Sequence, residues 1–154
     1  MDNLSENLVL RKVTFQDAQI LFEWRNDPET RKASRNTDEV LIENHKTWLA
    51  GSLQNKERQL YIVEKDSVPI GMVRADYDRE NDCYELTWMV SPHFRGKGWG
   101  KHIVALLANR MNSQITAQIR TYNIASQKIA EFVEMKLDKQ EDGFYYYSRP
   151  SVSN

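Results

Sequence analysis

Half of the glycines in this 154-residue chain, three of six, lie within five residues of one another at Gly96, Gly98 and Gly100. They separate a strand-like run, Tyr84 to Val90, from a helical stripe of Ile103, Val104, Leu106, Leu107 and Met111. A glycine-rich turn from strand to helix leaves several N–H groups unpaired at the positive end of the helix dipole, which suits a phosphate or pyrophosphate. Arg95, Lys97 and Lys101 add positive charge beside that turn, and Trp99 lies inside it. A dinucleotide fingerprint belongs in an early strand-turn-helix unit with other glycine spacing. A P-loop is excluded as well, because Gly100-Lys101 is followed by His102 and not by Ser or Thr.

The rest of the chain reads as alternating elements around that turn. Leu8 to Val13 opens as a strand, and Phe15, Ala18, Leu21 and Phe22 recur at helical spacing up to Trp24. Pro28 stops this helix near Asn26 and suits the first turn of a new one capped by Asp27. Ile42, His45, Trp48, Leu49 and Leu53 mark a further helix, and Arg35 to Glu39 reads as loop. Strands follow at 60–64, 70–76 and 84–90, then the helix after Gly100, a strand at 115–121 and a helix through Ala125, Ile129, Phe132 and Val133. The turn residues Asp142-Gly143 join strands 137–140 and 144–148 into a hairpin. The order β-α-α-β-β-β-α-β-α-β-β gives one α/β domain over residues 1–154, without repeat or linker: a mixed, mostly antiparallel sheet of about seven strands flanked by about four helices.

Composition narrows the function. Lys plus Arg number 21 against 22 for Asp plus Glu, so no global field favours nucleic acid or an anionic membrane. Cys83 is the lone cysteine, which excludes an internal disulfide and a cysteine metal cluster and fits a reducing, cytoplasmic compartment. Three scattered His residues make no metal motif. Met1 to Glu6 is polar and acidic, and no apolar run is long enough for a signal peptide or membrane span.

With Arg95, Gly98 and Gly100 in these places, the chain resembles the GNAT superfamily of acetyltransferases, whose coenzyme A loop has Arg or Gln, two residues, Gly, one residue, then Gly or Ala. The resemblance covers nearly the whole chain. It implies that Glu85 sits where a catalytic carboxylate is expected, and that Met89-Val90-Ser91-Pro92 supplies backbone to pantetheine, with the Val90 N–H facing the oxyanion. Asn123 to Glu131 is similar to the second coenzyme-binding stretch, so Asn123 and Ser126 line the thiol end. Acetyl-CoA is the implied donor, and Met89, Val90, Arg95, Gly96, Lys97, Gly98, Trp99, Gly100 and Lys101 are the implied contacts. Many relatives carry a Tyr seven residues after the Asn. Here that position is Ala130, which leaves Ser126, Tyr122 or water to serve the departing thiolate.

The implied acceptor is an amine. Trp24-Arg25-Asn26-Asp27-Pro28, His45, Trp48 and the closing Phe144 to Tyr147 look like the amino-sugar N-acetyltransferases of pseudaminic acid biosynthesis. Arg25 and Lys46 would then face a nucleotide diphosphate while an aromatic stacks on sugar or base. Leu10 to Asp17 and Ser126 to Glu131 also resemble the ribosomal-protein acetyltransferases, for which a peptide N-terminus is the acceptor. The bland reading of Trp24 and Trp48 is core packing, that of His45 a packed or surface residue, that of Ser126 a helix cap and that of Tyr122 packing in the sheet. A non-catalytic acyl-CoA-binding module and a single-strand nucleic-acid site at Arg95 to Lys101 are the readings from other classes. Exposed edge strands and the aromatic tail offer surfaces for a homodimer.

Overall fold

The computed structural model describes residues 7–152. The polar Met1 to Glu6 segment therefore lies outside the described residues. Seven strands form one sheet: β1 (Leu8–Lys12), β2 (Arg58–Lys65), β3 (Val68–Asp78), β4 (Cys83–Val90), β5 (Gln114–Arg120), β6 (Lys136–Glu141) and β7 (Phe144–Arg149). Their order is β1-β2-β3-β4-β5-β7-β6. All neighbours run antiparallel except β4 and β5, which are parallel.

Five helices cover the sheet: α1 (Ala18–Asn26), α2 (Pro28–Ala33), α3 (Ile42–Gln54), α4 (Trp99–Ala108) and α5 (Ile124–Phe132). Four of these are full helices, as expected, and α2 is the six-residue restart after Asp27 that the sequence indicates. The break arises as the sequence requires. Asp27 leaves helical geometry before Pro28, and its carboxylate accepts from the N–H groups of Glu29 and Thr30, capping α2.

The sheet divides two apolar layers. On one face Leu21, Trp24, Leu49, Leu60, Ile62 and Met72 pack α1 and α3 against β2 and β3. On the other, Val73, Ala75 and Leu86 meet Ile103, Val104 and Leu107 of α4 and Ile129 and Ala130 of α5. The period-2 alternation of β4 follows from this: Leu86, Trp88 and Val90 belong with the α4–α5 face, while Glu85, Thr87 and Met89 turn to the other. Asp142 (φ 53°) and Gly143 (φ 82°) form the left-handed hairpin turn between β6 and β7.

Candidate functional site

The sheet opens in its middle. β4 pairs with β3 along its whole length, but with β5 only at Cys83–Gln114, Tyr84–Ile115 and Glu85–Thr116. Beyond Glu85 the parallel strands diverge. The Ser91 N–H donates to the Ile70 carbonyl at 2.9 Å, so strand parity turns the N–H groups of Val90 and Trp88 away from β3, towards the gap. A cavity of about 1360 Å³ occupies this gap and extends across both faces of the sheet.

At one end of the cavity lies the glycine turn. Gly96 and Gly98 have φ of 74° and 85°, left-handed conformations that admit glycine at little cost. Gly98 is the N-cap of α4 and brings no side-chain acceptor, so first-turn N–H groups, beginning at Trp99, face the cavity uncapped by a side chain. Gly100 lines the cavity and also packs against α5. A Cβ there would stand 2.6 Å from Ile129 Cδ1, so its closest neighbour is the protein itself. Trp99 is buried in the core layer with Lys65 Nζ 5.5 Å above its ring, and it also lines the cavity. Lys101 lines the cavity, whereas Lys97 is exposed and lies outside the lining.

Arg95 is directed differently from expectation. Its guanidinium meets Asp27 Oδ2 at 2.7 Å, Thr30 Oγ1 at 2.8 Å and Glu29 Oε2 at 3.3 Å, holding the start of α2. α2 and the residues after it span the cavity as a strap. At the far end Tyr122 Oη donates to the Lys32 carbonyl at 2.6 Å, Arg120 donates to the Ser34 carbonyl at 2.8 Å, and Arg35 donates to Tyr146 Oη at 2.9 Å. Tyr122 thus does not pack in the sheet. It sits half exposed in the turn before α5 with Lys32 over its ring.

Asn123 caps α5, its side-chain Oδ1 accepting from the Ser126 N–H at 3.1 Å. Ser126 Oγ in turn accepts from Trp88 Nε1 at 3.1 Å. Ser126 therefore has a side-chain partner on β4, beyond the solvent-facing or capping role that composition suggests. Ala130 is fully buried, so the position often held by Tyr is core.

Glu85 is half-buried where β4 and β5 part, and its Oε2 accepts from Gln118 Nε2 at 2.7 Å. Burial pushes its carboxyl above the ordinary value, with Asp76 adding to the rise and Arg74, Arg35 and Gln118 opposing it. Gln118 Oε1 accepts from Arg35 Nε at 2.9 Å, so the strap reaches the carboxylate through one amide.

The acceptor candidates separate. Arg25, His45 and Trp48 line the cavity, but Trp24 and Asn26 do not. Trp24 is buried in the α1–α3 core, and Asn26 uses both ends of its amide on the backbone of Val40, at 2.8 and 2.7 Å. Lys46 is outside the lining and pairs loosely with Glu43 at 4.0 Å. His45 lies 5.4 Å from the Trp48 ring, and its imidazole is held below the ordinary value by burial and then by Arg25. Sequence reasoning missed Arg74, Trp88, Gln118 and the strap residues, all of which the sheet order brings to the cavity. Among the described residues no cluster of three or more His, Cys, Asp or Glu is placed to hold a metal ion, and no helix is long and apolar enough to cross a membrane.

A mixed sheet parted at its parallel pair, above a helix begun by a left-handed glycine, is the frame of an acyl-transfer enzyme. Residues 7–136 match the Acetyltransferase (GNAT) domain family, and the chain belongs to that family. It is 27% identical over 148 residues to the SPbeta prophage-derived uncharacterized N-acetyltransferase YokL of Bacillus subtilis (strain 168), covering 96% of this chain and 72% of that protein. Among solved structures it is similar to RimL, a ribosomal L7/L12 alpha-N-protein acetyltransferase in complex with coenzyme A, with TM-score 0.80, 15% identity, and coverage of 97% and 96% of the two chains. It is also similar to AAC(6')-Ib in complex with paromomycin and acetyl-CoA, with TM-score 0.79, 16% identity, and 94% coverage of each chain. These two likenesses are likenesses of fold.

Proposed function

We propose that this protein transfers the acetyl group of acetyl-CoA to the primary amine of a small acceptor. The observation that carries the reading is the parting of β4 from β5 directly beside the uncapped first turn of α4. The residues present suit the donor: left-handed Gly96 and Gly98 free N–H groups for a diphosphate, and the divergent strand presents backbone to an extended amide chain. Acetyl-CoA supplies an activated thioester.

The chain's own groups then divide the work. Glu85 takes the proton of the acceptor ammonium, directly or through water, and its raised affinity for a proton suits that task. As nitrogen bonds to the acyl carbon, the Val90 N–H receives the charge gathering on oxygen. When the carbon–sulfur bond breaks, the second proton of the attacking nitrogen passes through water to the departing thiolate, and Ser126, whose oxygen accepts from Trp88, donates a hydrogen bond to the sulfur.

The strap roofs the acceptor end, and this supports a small amine such as a nucleotide-linked amino sugar over a peptide lying in an open groove. Buried, unpaired Cys83 goes with a reducing cytoplasmic setting. The test is acetyl-CoA turnover across nucleotide amino sugars, amino acids and N-terminal peptides, alongside calorimetry with acetyl-CoA. Turnover confined to peptides would sink the small-amine assignment, and absence of acetyl-CoA binding would sink the whole reading.

A further inference from the structure

We propose that the acceptor carries an oxyanion, a carboxylate or phosphate, seated on Arg25 and His45 in the wall of the cavity formed by α1 and α3. This rests on the acetyl-transfer reading and names the class of amine it acts on. Arg25 is only partly exposed, and it donates to just one backbone carbonyl, that of Asn36 at 2.8 Å. Its Nη1 is buried without a hydrogen-bond partner. Among the described residues no carboxylate forms an ion pair with Arg25, and the charge that most affects it after burial is another cation, Arg31. A guanidinium held this way in a low-dielectric wall is costly unless a ligand supplies the missing negative charge.

His45 presents a second unpaired polar atom to the same wall. It is 5% exposed, lines the cavity, and its Nδ1 also has no hydrogen-bond partner. Trp48 stands beside it and completes a flat apolar edge to the pocket. The surroundings agree in sign. Lys32, Arg35, Arg74 and Arg120 border the cavity, where the carboxylates are Glu85 and Glu29, and Glu29 is already met by Arg95.

The anion belongs to the acceptor and not to the donor. α1 and α3 lie on the face of the sheet opposite α4 and α5, away from the glycine turn that suits a diphosphate. A polycationic amine would meet this field unfavourably. In that respect the site differs in expectation from one that takes an aminoglycoside.

The experiment uses matched pairs: an amino sugar 1-phosphate against the unphosphorylated amino sugar, and an amino acid against its amide. Wild-type kcat/KM should favour the anionic member about 10- to 100-fold, as a charge-assisted hydrogen bond from a shielded guanidinium allows. Arg25→Met and Arg25→Gln should collapse that ratio, and Arg25→Lys should retain part of it. Melting curves of the variants separate loss of folding from loss of recognition. Preference for the phosphate pair alone identifies phosphate as the oxyanion, and for the amino acid pair alone the carboxylate. Equal rates within both pairs, or ratios unmoved by Arg25→Gln, overturn the proposal. Should no amine be acetylated, calorimetry of the same pairs on CoA-saturated protein decides it, because recognition by Arg25 does not require chemistry.

Discussion

Trp88 on β4 donates its indole N–H to Ser126 on α5 across 3.1 Å, linking the two sides of the gap where β4 and β5 part. The bond occupies one acceptor site of the Ser126 oxygen and leaves its hydrogen available to a partner in the cleft. Ser126→Ala should therefore lower kcat by about tenfold, the scale of losing one donor of roughly 1.5 kcal/mol in the transition state, while leaving acetyl-CoA affinity within about twofold. Trp88→Phe keeps the hydroxyl but frees its rotation, so a smaller loss is expected there. Steady-state kinetics with calorimetry on both variants checks this, and unchanged kcat in Ser126→Ala assigns the thiolate to water.

Glu85 answers to pH in a defined direction. Burial, followed by Asp76, raises its carboxyl above the ordinary glutamate value, so the base form is lost at higher pH than for a solvated glutamate. The acid limb of kcat/KM should accordingly lie above the ordinary value, and Glu85→Gln should remove that limb while lowering kcat/KM about 100-fold. Stability should move the other way. A carboxyl whose folded value is raised is least favourable once ionised, so at neutral pH Glu85→Gln should melt no lower than wild type. A pH–rate profile and a melting curve suffice, and an intact acid limb in the variant removes Glu85 from the mechanism.

What could be read from sequence was local, and what could not was a matter of sheet order. Pro28 after Asp27, Asp142-Gly143, and Gly98 before a helix each act within a few residues, so their chemistry is visible without a fold. Gln118 reaches Glu85 only because β5 lies beside β4, a neighbour relation that a chain of antiparallel runs does not announce. Trp24 and Trp48 look alike in periodicity. Their fates differ because the rotation of each helix against the sheet buries Trp24 in the core and leaves Trp48 at the cavity. Gly100 matched a motif position and also packs close to Ile129, a contact no spacing rule reveals.

Asp17 ties the first strand to the first helix. Its carboxylate accepts two bonds from Arg11, at 2.8 and 2.9 Å, and one from the Thr14 N–H at 2.8 Å, with Glu64 meeting Arg11 at 3.0 Å. The Arg11 bonds hold its carboxyl below the ordinary value against the opposing effect of burial. Because the folded value is depressed, the stabilisation is complete above the ordinary aspartate range and disappears as pH falls through the lower, folded value. Asp17→Asn should cost about 2 kcal/mol at neutral pH and almost nothing in strong acid. Urea titrations at the two pH values measure this, and a cost independent of pH would show that packing, not charge, is what the substitution removes.

Arg95 yields the prediction on which motif and structure diverge most. By motif position it belongs to the coenzyme loop, yet its guanidinium is committed to Asp27, Glu29 and Thr30, at the start of the strap. The other end of the strap is held by Tyr122, Arg120 and Arg35. Releasing one end should loosen the roof over the acceptor while leaving the N–H groups of α4 in place. Arg95→Ala is thus expected to raise the acceptor KM several-fold and to expose 28–36 to protease, with acetyl-CoA affinity within about threefold of wild type, less than tenfold per lost phosphate contact. Asp27→Asn should reproduce the protease sensitivity, because it breaks the same pair from the other side while keeping an acceptable cap for α2. If Arg95→Ala instead weakens acetyl-CoA by tenfold or more with the strap still protected, the guanidinium leaves Asp27 for the diphosphate when donor binds, and the strap is anchored by its far end alone.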